Sequence, residues 1–134
     1  MLGNLPVLII SSDSTQRDKA VEIVRDIGLP SVVCSSLTDA RALAGQQAFQ
    51  LVLCDDDLSD CDLQTSLKVL ISATGGVPVI VLSHLAEWDA YVTALNAGAF
   101  DYIALPAERA ETERILRLAL DRNPRVRTAS HTAA

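Results

Sequence analysis

Aromatic residues make up only 4% of this 134-residue chain, with one Trp, two Tyr and two Phe. A core must therefore be filled by Leu, Val, Ile and Ala, which belong to a total hydrophobic content of 49%. Cysteine is sparse: Cys34, Cys54 and Cys61 form no C-x-x-C pair and no even set, which excludes a disulfide framework or a zinc-finger spacing. With no secretory leader pattern, this usage points to a reducing cytoplasm. Long apolar runs are missing too, so no segment reads as a membrane span. Bases are outnumbered, 11 against 17 acids, and the net charge of -6 argues against a nucleic-acid-binding face. No catalytic triad, Walker loop or dinucleotide fingerprint occurs, which argues against an independent enzyme.

What is present is a repeating alternation. Val7 to Ile10 is a branched-aliphatic run of the kind a strand covered on both faces requires. Polar Ser11 to Thr15 then leads into a helix with Ala20, Val24 and Ile27 at helical spacing, and Asp13 with Gln16 reads as a capping box. Gly28, with Pro30 behind it, reads as the stop. The cycle repeats with a strand over Val32 to Cys34 and a short helix capped by Thr38 and ending near Gly45. Leu51 to Cys54 is another buried strand, and Leu63, Leu67, Leu70 and Ile71 stripe a third helix. Val79 to Leu82, a helix from about Leu85 to Asn96, and a strand from Tyr102 to Ala104 follow. Pro106 is expected to open the last helix, anchored by Ile115, Leu118 and Ala119. Five βα units predict one α/β domain, residues 1–122, with a parallel sheet and helices on both faces. Residues 123–134 lack an apolar period and read as a tail or linker.

In such a sheet, ligands meet the carboxyl ends of the strands near the switch in strand order. That rule selects Ser11-Ser12-Asp13, Cys34-Ser35, Asp55-Asp56-Asp57, Ser83-His84 and Leu105-Pro106. Five aspartates (Asp55, Asp56, Asp57, Asp60 and Asp62) lie close together with no base among them. The cluster does not have calcium-loop spacing: counted from Asp55, the glycine position is Asp60 and the bidentate-glutamate position is Ser66.

From about Leu5 to Arg122 the residues resemble the response-regulator receiver domains of two-component signalling. Asp55 at a strand end with Asp62 downstream, Ser83 closing Pro78-Val79-Ile80-Val81-Leu82, Ala97-Gly98-Ala99 before Asp101-Tyr102, and Leu105-Pro106 carry the likeness. The resemblance implies a flavodoxin-like fold, doubly wound (βα)5 with strand order 2-1-3-4-5. It also implies that Asp55 is the phosphoacceptor, that Ser83 and Tyr102 are the switch pair, and that the bond before Pro106 is cis. Sensor histidine kinases or effector proteins are the implied partners. The fourth helix, fifth strand and fifth helix are the implied contact surface, also for a homodimer. Trp88, Tyr91 and Arg114 lie there, although Trp88 and Tyr91 at helical spacing also suit edge-of-core packing.

Departures matter as much. The acidic pair expected after the first strand is Ser11 and Ser12, and the lysine expected before the proline is Leu105. The loop after Asp55 carries Ser59 and Leu63 where the family has proline and glycine. Asp55 remains the one matching carboxylate for Mg²⁺, with Asp57 as a weak second candidate. At an effective dielectric near 20 a unit charge at 4 Å is worth about 4 kcal/mol. Losing two carboxylates therefore weakens metal binding steeply, and losing the lysine with them returns the site toward neutrality. The expectation is an atypical receiver acting through protein contacts with weak or no phosphorylation, and no cofactor beyond a weakly held Mg²⁺. Two alternatives stand beside it: a working phosphoacceptor at Asp55, and a flavodoxin-type small-ligand binder using the hydroxyls of Ser11 to Thr15 with Arg17.

Overall fold

The computed structural model describes residues 5–84 and 86–122. The proposed tail, 123–134, lies outside the described residues. Five strands, β1 (Val7–Ile10), β2 (Ser31–Cys34), β3 (Leu51–Asp55), β4 (Val79–Ser83) and β5 (Asp101–Ala104), alternate with five helices. These are α1 (Ser14–Asp26), α2 (Leu37–Gln46), α3 (Leu63–Thr74), α4 (Trp88–Asn96) and α5 (Arg109–Arg122). All strands run parallel in the order β2-β1-β3-β4-β5. No helix among the described residues is long and apolar enough to cross a membrane.

Strand side chains alternate between two separate cores. Val7, Ile9, Leu51, Leu53, Ile80, Leu82 and Ile103 face one side, where they meet Ala20 and Val24 of α1 and Ile115, Leu116 and Ala119 of α5. Leu8, Ile10, Val52, Cys54, Val79, Val81 and Tyr102 face the other, against α2, α3 and α4. Each buried aliphatic side chain contributes about 1.5–3 kcal/mol. The uninterrupted apolar runs of β1, β3 and β4 follow directly from this two-sided burial. The apolar runs give way at Ser11, Asp55 and Ser83, so the polar segments gather at one end of the sheet.

Several boundaries differ from the sequence reading. Asp13 caps α1 as expected, accepting from the Thr15 and Gln16 backbone N–H groups. Gln16, however, does not complete a capping box; its side chain is buried and turned to Asp55. α2 is capped by Ser36 rather than Thr38, because Ser36 Oγ reaches the Asp39 N–H while Asp60 accepts from the Leu37 and Thr38 N–H groups. α4 begins at Trp88, after extended Glu87, rather than near Leu85. Pro106 does not open α5: the Leu105–Pro106 bond is cis and α5 starts at Arg109. Gly28 takes φ +80° just past the end of α1, as its stop role requires. Gly98 has φ +110°, the left-handed region that favours glycine, and its Cβ position would meet only the side-chain tip of Ile71, at 2.8 Å.

Candidate functional site

At the carboxyl end of the sheet, Ser12, Asp13, Asp55, Asp56, Asp57, Ser59 and His84 line an open cavity of about 670 Å³. β1, β3 and β4 position it: Ile10 pairs with Cys54 and Asp55 with Leu82, so the three strands end side by side. Asp55 is the last residue of β3 and only 6% exposed.

Both Asp55 oxygens are held by neutral donors. Ser11 Oγ donates to Oδ2 at 2.9 Å, and Gln16 Nε2 donates to Oδ1 at 2.5 Å. Burial pushes the Asp55 carboxyl above its ordinary value and neighbouring Asp56 adds to the rise, while the Ser11 hydrogen bond and the Asp56 N–H oppose it. Ser11 itself is buried at the start of the loop after β1, where Arg17 Nη1 donates to its carbonyl at 2.9 Å.

Ser12 serves a different purpose. Its Oγ donates to the Ser35 carbonyl at 3.1 Å, accepts from the Ser59 N–H at 3.2 Å and lies 3.3 Å from Ser59 Oγ. Asp60, one residue on, is locked against the α2 N-terminus by the Leu37 and Thr38 N–H groups, which hold its carboxyl below the usual range. The two hydroxyls thus act as internal fasteners: Ser11 grips Asp55 and Ser12 stitches three loops together. Asp57 is exposed on the cavity rim, and Asp13, also on the rim, is engaged in capping α1. Asp62 caps α3 through the Thr65 N–H at 2.8 Å.

The opposite end of the rim is apolar. Leu105 is 8% exposed and packs in the core with Leu82, Ile103 and Ile115, turned away from the cavity. Ser83 is buried at the end of β4, and its carbonyl accepts from the Leu105 N–H at 2.6 Å. Tyr102 is buried on β5 and meets Tyr91 edge-on, ring centroids 6.2 Å apart. Tyr91 in turn stacks on Trp88 at 5.5 Å. Trp88 is 74% exposed, which overturns edge-of-core packing for it; Tyr91 alone packs against the core. Arg114 lies exposed on α5, paired with Glu111. Cys54 is strand core, and its burial raises its thiol far out of the reactive range.

The Mg²⁺ that the receiver resemblance implies fits this donor set poorly. Among the described residues no group of three or more His, Cys, Asp or Glu side chains converges as a cage. The two side chains nearest the Asp55 oxygens present protons to them rather than adding negative charge.

Sequence reasoning missed the role of Gln16 altogether. The signal was available only as an amide one turn into α1, among residues otherwise apolar on that buried face.

A parallel sheet with one buried carboxylate at the end of its central strand, a strand-end hydroxyl beside it and an aromatic on the edge strand defines a class of signalling module. Residues 7–117 match the response regulator receiver domain model, and the chain belongs to that family. It is similar to the transcriptional regulatory protein ZraR of Salmonella typhimurium, 26% identical over 118 residues, 88% of this chain and 27% of that protein. Likeness to the response regulator protein FleR of Pseudomonas aeruginosa is of the same order, 27% over 119 residues, covering 88% of this chain and 25% of that one. The chain spans about a quarter of the length of these curated relatives. Among solved structures, a putative response regulator from Chloroflexus aurantiacus superposes with a TM-score of 0.82 at 24% identity, covering 89% of this chain and 99% of that one. The receiver domain of a Pseudomonas aeruginosa sensor histidine kinase, with a magnesium ion coordinated in its active site cleft, gives 0.76 at 24%, covering 87% and 98%. These structural likenesses speak to the fold.

Proposed function

We propose that this receiver domain signals mainly through protein contacts, with weak or no phosphorylation at Asp55. The observation that carries the reading is the Asp55 carboxylate held on both oxygens by Ser11 and Gln16, with Leu105 packed into the core. Phosphoryl transfer would replace the single negative charge of the Asp55 carboxylate with roughly two on the acyl phosphate. It would do so in a cavity whose lining has four aspartates and neither Lys nor Arg. Transfer to an acceptor depends on countercharge at the reacting oxygens. The partners are sensor histidine kinases or effector proteins, and any homodimer uses α4, β5 and α5, where Trp88, Tyr91 and Arg114 lie. Trp88 stacked on Tyr91 offers the large aromatic surface that such contacts favour.

Incubation with acetyl phosphate and Mg²⁺, followed by intact mass, is expected to leave the chain unmodified. Stoichiometric addition at Asp55 would instead establish the second reading, an ordinary phosphoacceptor. The burial of Asp55 at the mouth of β3, opening on a cavity, is the observation in that reading's favour.

A further inference from the structure

Gln16 is 1% exposed on the first turn of α1, a place where an apolar side chain of equal length would fill the same space. Its two amide ends are treated unequally. Nε2 donates to Asp55 Oδ1, whereas Oε1 is buried and meets no hydrogen-bond partner. Stripping water from an amide oxygen without replacing its hydrogen bonds is costly, so packing alone favours Met or Leu here. The amide's one interaction spans 39 positions and ends on the carboxylate at the centre of the site.

We propose that Gln16 is a positioning and specificity-determining residue, whose amide takes the Asp55 oxygen that a divalent cation would otherwise ligate. An N–H donor and a cation compete for the same lone pairs. The amide is delivered dry by the helix, whereas Mg²⁺ must surrender tightly held water to reach the same oxygen. Ser11 donates to Oδ2 and Gln16 to Oδ1, so an approaching cation meets a donor on either oxygen, and Gln16 is the one at Oδ1. Ser11 and Gln16 thus act as a pair of neutral dipoles in the place of a charged ion, and Gln16 sets cation exclusion where Ser11 sets orientation. This role is independent of whether Asp55 ever accepts a phosphoryl group.

The experiment titrates Mn²⁺ into ¹⁵N-labelled wild type and Gln16→Met, reading paramagnetic broadening of the Asp55 and Asp56 amide resonances. The Met variant keeps the side-chain volume and removes the donor. It is expected to bind Mn²⁺ about tenfold more tightly, the scale of one hydrogen bond to a charged acceptor. A natively folded Met variant with a gain below threefold overturns the proposal. Should that variant fail to fold, the wild-type Gln16 side-chain amide decides. Downfield, slowly exchanging protons support the clamp, and ordinary shifts with fast exchange overturn it. Acetyl phosphate labelling of the wild type tests the functional proposal separately, so each can fail alone.

Discussion

The two ends of this domain's rim are held together in opposite ways. On the β1 and β3 side the rim is held by hydrogen bonds: Ser11 and Gln16 on Asp55, Ser12 on Ser35 and Ser59, Asp60 on the α2 N-terminus. On the β4 and β5 side burial takes over, with Leu105 packed into the core. Past it, the aromatic series of Tyr102, Tyr91 and Trp88 climbs from core to surface. Polar strand ends can be held by dipoles because backbone groups and hydroxyls already crowd there. A strand edge covered by α5 offers no such partners, and hydrophobic burial is what remains.

That contrast is most severely tested at Leu105. Leu105→Lys is expected to lower unfolding stability by about 2–3 kcal/mol in urea titration, because the new charge starts in an apolar site. An unchanged midpoint would mean that the position faces the cavity after all. Next in size, Asp60→Ala removes an acceptor from the α2 N-terminus and is expected to cost about 1 kcal/mol.

Asp55 and Asp60 also differ in the sign of their pH dependence. Asp55 has a folded pKa raised by burial, so its contribution is full below the unfolded value of 3.8 and is lost as pH rises through the folded value. Asp55→Asn is therefore expected to raise the melting temperature at neutral pH, with the gain disappearing on acidification. Turning the Gln16 amide over would give the introduced carboxamide a partner for its own N–H. Asp60 has a lowered folded pKa, so its contribution is present above 3.8 and fades as pH falls through the folded value. Asp60→Asn is expected to destabilise at neutral pH and become silent in acid. Melting curves of both variants between pH 3 and 7 check the pair; parallel trends would erase the distinction. The smallest effect on stability belongs to Trp88→Ala, within about 0.5 kcal/mol because the ring is 74% exposed. The same variant is expected to weaken any self-association by sedimentation at high concentration.

The architecture was legible because β1, β3 and β4 are unbroken aliphatic runs ending in polar residues, a pattern that depends on near neighbours alone. The positions of Ser11, Ser12, Asp55 and Leu105 at strand ends were legible for the same reason. What stayed hidden depends on contacts distant in sequence. Gln16 fitted a local capping pattern, yet its partner is 39 residues away. Thr38 looked like the cap of α2, but Asp60, 22 residues downstream, supplies that acceptor with help from Ser36. The stop at Leu105–Pro106 depends on the turn that follows β5, which moved the start of α5 to Arg109.

Ser12 carries a further consequence. A hydroxyl both gives and takes a hydrogen bond, and this one gives to the Ser35 carbonyl while taking from the Ser59 N–H. An ionised carboxylate can only take, so Ser12→Asp alone would set an anion against a carbonyl oxygen before any cation could reward it. Steps toward an acidic, ion-binding mouth are therefore strongly non-additive, each harmful until the others are in place. Exchanging hydroxyl for carboxylate at Ser12 is thus a change to three loops at once rather than to one side chain.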